Sequence, residues 1–496
     1  MTRGNRPVHV PNRHACGIPW KQRIDVWHHP ILWDRSRHGR LIDFRTRRAA
    51  EHMLRMWVTG QARLSKRALQ AALARRPHVE REIETITCEQ ALAEATKGRR
   101  AAVAARCMAV LNSYKIATTE QCAAIIGCSY PATKRALELL WLAGWLDYGT
   151  PMTALNFGGE VVPTMWTINN DGALDFARFR RLWGDDEAIR ATAGWNIAPH
   201  ISGPRHHLFT TELALRIAEV ATDVRTVVGE RFSSWQQMVD PTARRTTDAA
   251  DLTVVRGDGL KIMVEVSLAN SGGQPKLVKW IERLTKHLDD DGGEFAVVFV
   301  DVANPRVGDQ RTRIEPHMAA AINQVGLSAQ MTRRVLDRIG FVDWQEWFPA
   351  EHQLGPDFAT LTCKTMLDPS GTLYRRTRFL GGHALSEPAD DFRVEEPVDD
   401  FQVEERSTLF KTMERPVDPG AAGGFVKYKP FPMATRMVSG EAVQVGVDNR
   451  WIDRTATMTA TPHWLAARMK PVPVWHWYSA HRDRAAAAPT QMKRAA

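Results

Sequence analysis

The stretch AADLTVVRGDGLKIMVEVSL, residues 249–268, constrains the fold most. Two runs rich in β-branched residues flank Gly257-Asp258-Gly259, a turn that folds neighbouring strands into an antiparallel hairpin. The pattern around it is regular. RHHLFTTELALRIAEVATD reads as an amphipathic helix and TVVGERFSSW as a strand. After the hairpin, PKLVKWIERLTKHL is a second amphipathic helix and EFAVVFVD a nearly all-apolar final strand. The order α-β-β-β-α-β over residues 200–302 predicts a small mixed sheet flanked by helices, an α+β arrangement.

Side chains alternate faces along a strand. Ile262, Val264 and Val266 therefore point one way, and Met263, Glu265 and Ser267 the other. Asp251 heads the preceding strand, so the hairpin brings it toward Glu265 at one edge of the sheet. Two carboxylates held close on rigid strands repel unless a cation lies between them. Mg²⁺ suits such a pair, because it takes oxygen ligands and binds through one or two carboxylates together with phosphate oxygens. Glu230 is either a third acid at the same edge or a solvent-facing strand residue.

Residues 101–180 carry a second pattern. RCMAVLNSYK is one helix. Thr118-Thr119-Glu120-Gln121 has the spacing of a capping box and opens a short helix that Gly127 ends. Ser129 is an N-cap candidate, and Pro131 sits in the first turn of a third helix, YPATKRALELLWLAG. WLDYG and MWTINNDG then read as a strand and its return. Helix, short helix, longer helix and hairpin is the winged-helix order. In it Ala136, Leu137, Leu140 and Trp141 face the core. Tyr130, Thr133, Lys134 and Arg135 form the open face expected to contact DNA.

Taken together, these residues resemble the PD-(D/E)xK nuclease-like superfamily. With the winged helix in front, they resemble more narrowly the replication-relaxation family of plasmids, integrative elements and phages. The resemblance runs from about Arg100 to Asp301. It implies Asp251 and Glu265 as catalytic metal ligands, with Mg²⁺ as the cofactor. It implies a histidine, His206 or His207, at the start of the first helix, and an assisting lysine, Lys276 or Lys279, in the helix after the Glu265 strand. Two positions depart from the superfamily pattern. Ser267 stands where its lysine belongs, and Ala250 where a proline precedes the first acid.

Charge points to a polyanionic partner. The chain of 496 residues has a formal net charge of +10, and residues 1–80 hold 17 Lys and Arg against 5 Asp and Glu. Double-stranded DNA is the expected partner. Residues 387–418 reverse the sign, with 11 acids against 4 bases, and contain DDFRVEEPV followed directly by DDFQVEERS. This acidic near-repeat reads as a disordered linker or a protein-docking strip. No run of about 18 apolar residues marks a membrane span, and the opening MTRGNRPVHVPN lacks the apolar stretch of a secretory signal. Six cysteines without a CxxC pair fit a reducing, cytoplasmic setting in a bacterial host. No GxxxxGK[ST], HxH, GxSxG or HExxH pattern occurs, which argues against a phosphate-loop motor, a histidine-triad relaxase, a serine hydrolase or a zincin.

The expected organisation is a basic N-terminal arm with helices (1–100), a winged helix (101–180) and a restriction-endonuclease-like domain (200–302). A mixed helical extension (303–384) with one helix over about 314–339, an acidic linker (385–424) and a Trp-rich segment (425–496) follow, the C-terminal region being partly disordered. Three function classes stand open. The first is a DNA-binding protein of a mobile element acting in replication, relaxation or transfer. The second is a Mg²⁺-dependent endonuclease using Asp251 and Glu265. The third is a non-enzymatic virion or assembly protein.

Overall fold

The computed structural model describes residues 20–33, 42–58, 78–151, 164–172, 174, 176–184, 196–199, 203–221, 224–236, 249–256, 260–268, 273–287, 295–303 and 313–380. It also describes two short strands, Ala434–Val438 and Glu441–Val445, which pair antiparallel. The acidic linker 385–424 and the rest of the Trp-rich segment lie outside the described residues, as do residues 1–19 of the basic arm.

The chain is a mixed α/β protein built on two sheets. The smaller has four antiparallel strands, β1 (Ile42–Arg45), β2 (Ile116–Thr118), β3 (Leu146–Pro151) and β4 (Met165–Ile168), in the order β1-β3-β4-β2. Helices α1 (Arg47–Val58), α2 (Cys88–Ala95), α3 (Arg99–Tyr114), α4 (Thr119–Ile126) and α5 (Tyr130–Leu142) accompany it. Local chemistry sets these boundaries. Thr118 Oγ1 accepts from the Gln121 N–H, and Gln121 Oε1 accepts from the Thr118 N–H, closing the capping box that starts α4. Gly127 ends α4 in the left-handed region at φ 66°, and Pro131 occupies the first turn of α5. Ala136, Leu137, Leu140 and Trp141 are buried, as the sequence pattern requires.

The larger sheet has seven strands: β5 (Val224–Gly229), β6 (Leu252–Arg256), β7 (Lys261–Ser267), β8 (Phe295–Asp301), β9 (Ile339–Asp343), β10 (Thr362–Met366) and β11 (Tyr374–Arg378). They lie in sequential order across the sheet. β7, β8 and β9 are parallel neighbours, and the other pairings are antiparallel. Helices α6 (Pro204–Val220), α7 (Gly273–Lys286), α8 (Met318–Val325) and α9 (Ala329–Leu336) complete this unit. All residues of β6, β7 and β8 are buried, which explains their near-continuous apolar runs.

Three expectations need correction. The sheet does not end at β8. Residues 303–384 contribute β9–β11, and the expected single helix over 314–339 is α8 and α9, broken by Gly326 at φ 74° and restarted by the Ser328 N-cap. TVVGERFSSW is strand only to Gly229, after which Glu230–Phe232 form a 3-10 turn. The described part of the N-terminal region is no free arm, because Arg23, Trp27 and Trp33 are buried.

That burial has a specific cause. Arg23 donates to Glu212 and Glu219 of α6, Nη2 meeting Glu212 Oε1 at 2.9 Å and Nη1 meeting Glu219 Oε1 at 2.7 Å. Arg216 of α6 donates to Asp25 at 2.8 Å, and Asp25 also accepts from the backbone N–H of His352 at 2.8 Å. Gln121 of α4 donates to Glu212 at 3.1 Å. Around this network Trp27 stacks on Phe209 and Trp344. One helix, α6, therefore carries the N-terminal segment, the smaller unit and the large sheet together. Breaking a buried ion pair by removing one partner leaves a charge without compensation and costs about 3–5 kcal/mol. Arg23→Met takes one buried cation from Glu212 and Glu219 while Arg216 and Gln121 stay on Glu212, so it is expected to lower stability by up to about that amount in urea unfolding, with the m-value tracking any loss of two-state behaviour.

Candidate functional site

The site lies where β7 ends, beside the amino end of α6 and the first turn of α7. Register builds it. Leu252 pairs with Val264 across the β6–β7 hairpin, so Asp251, one residue before β6, falls opposite Glu265. The backbone N–H of Asp251 donates to Val264 O at 3.1 Å. Asp251 Oδ2 accepts from the Val266 N–H at 2.7 Å, and its Oδ1 lies 2.9 Å from His206 Nε2. Glu265 Oε2 lies 2.7 Å from Lys276 Nζ, and its Oε1 accepts from Trp280 Nε1 at 2.8 Å. Lys276 and Trp280 are one helical turn apart on α7, so one helix face grips one carboxylate twice.

Each acid thus holds its own cation. Burial alone would raise Asp251, but the His206 and Lys276 charges and the Val266 N–H hold it below the ordinary carboxylate range. Burial acts against the His206 imidazolium, and Asp251 outweighs it, so His206 titrates above the usual histidine value. Burial pushes the Glu265 carboxyl up to about 7, with the Asp251 charge adding to the rise and Lys276 opposing it. Lys276 is held above the ordinary lysine value, burial notwithstanding, by Glu265 and Asp251.

Glu230 joins the same neighbourhood. Its Oε1 lies 3.4 Å from Lys115 Nζ and its Oε2 3.5 Å from His207 Nδ1. It lies in the turn after β5 rather than inside a strand, and its charge helps raise both His206 and Lys276. Of the two histidines at the start of α6, His206 faces Asp251 and His207 faces Glu230. Of the two candidate lysines, Lys276 reaches Glu265, while Lys279 is exposed one turn further along α7. The acids lie at the strand ends within the sheet, with β5 outside them, rather than at its edge.

The residues expected on the DNA-facing side of α5 are not brought together as an open face. Thr133 is buried, with no hydrogen-bond partner for its hydroxyl, a correction to its placement on the open side. Arg135 forms an ion pair with Glu82 at 2.8 Å, and Lys134 lies 3.5 Å from Glu138. For Arg135 the reason is α2 and the short helix His78–Glu82, which pack on α5 and bring Glu82 to it. Lys134 remains exposed and Tyr130 partly exposed.

A bound Mg²⁺ is not matched by the groups as they stand. Asp251 and Glu265 supply hard oxygen donors, but all four of their carboxylate oxygens are already engaged by His206, Val266, Lys276 and Trp280. Among the described residues, no group of three or more His, Cys, Asp or Glu is placed to hold a metal ion. A divalent ion would have to displace His206 and Lys276. The chemistry the cluster offers by itself is a set of cations, Lys276 and His206, poised beside buried acids.

No protein-family model, curated protein or solved structure matches the chain. Among the described residues, no helix is long and apolar enough to cross a membrane.

On the neighbouring strand β8, at the same carboxyl end, Asp301 is buried and its Oδ1 has no hydrogen-bond partner. Burial raises its carboxyl to about 8, with the Ile314 N–H opposing and Glu315 and Asp343 adding to the rise. A folded-state value raised above the unfolded 3.8 favours folding while the group is protonated. That contribution is lost as pH rises from the unfolded value through about 8. Asp301→Asn, which keeps the neutral form at every pH, is expected to raise the thermal midpoint above pH 8 and to flatten the stability profile between those limits. Thermal unfolding followed from pH 4 to pH 9, about the span of both values, checks it.

Proposed function

We propose that this chain is a DNA-binding protein of a mobile element, combining a winged helix with a PD-(D/E)xK-like domain. One observation carries the reading. Asp251 and Glu265 oppose each other on adjoining strands, with Lys276 reaching Glu265 from the following helix. A lysine supplied from the helix stands in for the one that Ser267 replaces. The sequence of α3, β2, α4, α5 and the β3–β4 hairpin, with β2 paired to β4, supports the winged-helix half. The net charge of +10 supports a polyanionic partner.

In this reading the phosphodiester backbone lies along the carboxyl end of β7. The Lys276 ammonium and the protonated His206 imidazole are the groups that meet it. Binding of this kind needs no cleavage, since the acids are already neutralised from within. Duplex DNA is expected to bind with an affinity that falls linearly on a log–log plot against salt concentration. Affinity that is absent at low salt, or flat as salt rises, counts against the proposal.

A second reading, a Mg²⁺-dependent endonuclease, draws on the same opposition of two carboxylates and requires the ion to displace His206 and Lys276 from them. Supercoiled plasmid incubated with Mg²⁺ or Mn²⁺ separates the two. Nicking by the native chain that disappears in the Asp251→Ala, Glu265→Ala double variant makes the chain an endonuclease. DNA binding without nicking leaves the binding protein.

A further inference from the structure

Lys115 is one of the few described residues other than glycine with positive φ, at φ 73° and ψ −53°. These are γ-turn dihedrals, which are rare and strained for a residue with a Cβ. Glycine relieves such strain, yet this corner between α3 and β2 carries a lysine. Its backbone belongs to the smaller unit. The Lys115 N–H donates to Leu111 O at 2.8 Å to cap α3, and its carbonyl accepts from Thr167 Oγ1 of β4 at 3.1 Å.

Its side chain leaves that unit. Lys115 Nζ lies 3.4 Å from Glu230, which also meets His207 and acts electrostatically on His206 and Lys276. The joint around it is tight, because a Cβ added at Gly229 would lie 2.5 Å from Ser113 Oγ. The lysine is therefore held against the large sheet by close packing of the α3 end on the β5 corner. Lys115, His206 and Lys276 alternate in this neighbourhood with Glu230, Asp251 and Glu265. The Lys115 side chain keeps 17% of its surface accessible.

We propose that Lys115 is a phosphate-binding residue of the site, delivered from the smaller unit, so that a nucleic-acid backbone is held by both units at once. The inference rests on the DNA-binding reading above. It gives the strain a function: the γ-turn aims a cation into the site that a relaxed turn would send elsewhere.

The test uses the full chain, a fluorescently labelled DNA duplex and anisotropy titrations at several salt concentrations. Lys115→Gly removes the cation and relieves the backbone. Its thermal midpoint is expected to hold or rise while its salt dependence becomes shallower by about 0.9 in log–log slope, the loss of one phosphate contact. Lys115→Arg, which keeps the charge, is expected to retain the native slope. Lys115→Gly with unchanged slope and affinity overturns the proposal and leaves Lys115 a helix cap. A slope lost equally in Lys115→Arg and Lys115→Gly overturns it too, since charge then plays no part. A native chain that fails to bind duplex defeats the DNA-binding reading and this inference together. Native binding with unchanged variants defeats this inference alone.

Discussion

A carboxylate taken out of water needs a partner, and much of this structure follows from that requirement. β7 is buried along its whole length, yet it carries Glu265 at the end where helices converge. Lys276 and Trp280 answer the two oxygens of Glu265, which fixes the rotation of α7 on the sheet. Val266 and His206 answer Asp251, which fixes the start of β6 and the amino end of α6. Satisfying two buried acids in this way specifies three elements. It also leaves a group of cations beside them, and a binding reading draws on that group.

α6 carries the other half of the architecture. Its amino end brings His206 and His207 to the acids, and its body presents Glu212, Arg216 and Glu219 to the N-terminal segment. Apolar residues such as Leu208, Leu213 and Ile217 pack into the core between these charges. An ionic network of this kind contributes less to net stability than apolar packing of equal volume would. What it supplies is registry, since Arg23 reaches two glutamates nearly two turns apart on the same helix face.

Much of this was legible in one sequence, and particular residues show why. The capping box at Thr118, the stop at Gly127 and the amphipathic run PKLVKWIERLTKHL are local signals, and each holds, with Leu277, Trp280, Ile281 and Leu284 buried on α7. The opposition of Asp251 and Glu265 follows from a two-residue period and a short turn, which are also local. Lys276 and Lys279 are a turn apart on one helix, and only the position of Glu265 chooses between them. Trp280 was readable as core, while its indole N–H as a donor to Glu265 was not. Strands β10 and β11 were hidden because TCKTM and YRRTR are short and polar, with β11 partly exposed at the edge of the sheet, and β9 because its short apolar run IGFVD directly follows a helix. The partners of Arg23 and the cover on Arg135 are contacts between distant segments, and a single chain carries no record of them.

The ionic staple on α6 has a consequence for how the molecule is made. Arg23 meets Glu212 across 189 residues, and Asp25 meets His352 across 327. During translation the Arg23–Asp25 segment leaves the ribosome long before either companion exists. The cover on Trp27 and Trp33 includes Trp344, so these contacts close only after much later residues are made. Contacts of such span slow folding and leave apolar surface open to association in the meantime. The nascent chain is thus most vulnerable in the interval between emergence of the Arg23–Trp33 segment and completion of the segment around His352.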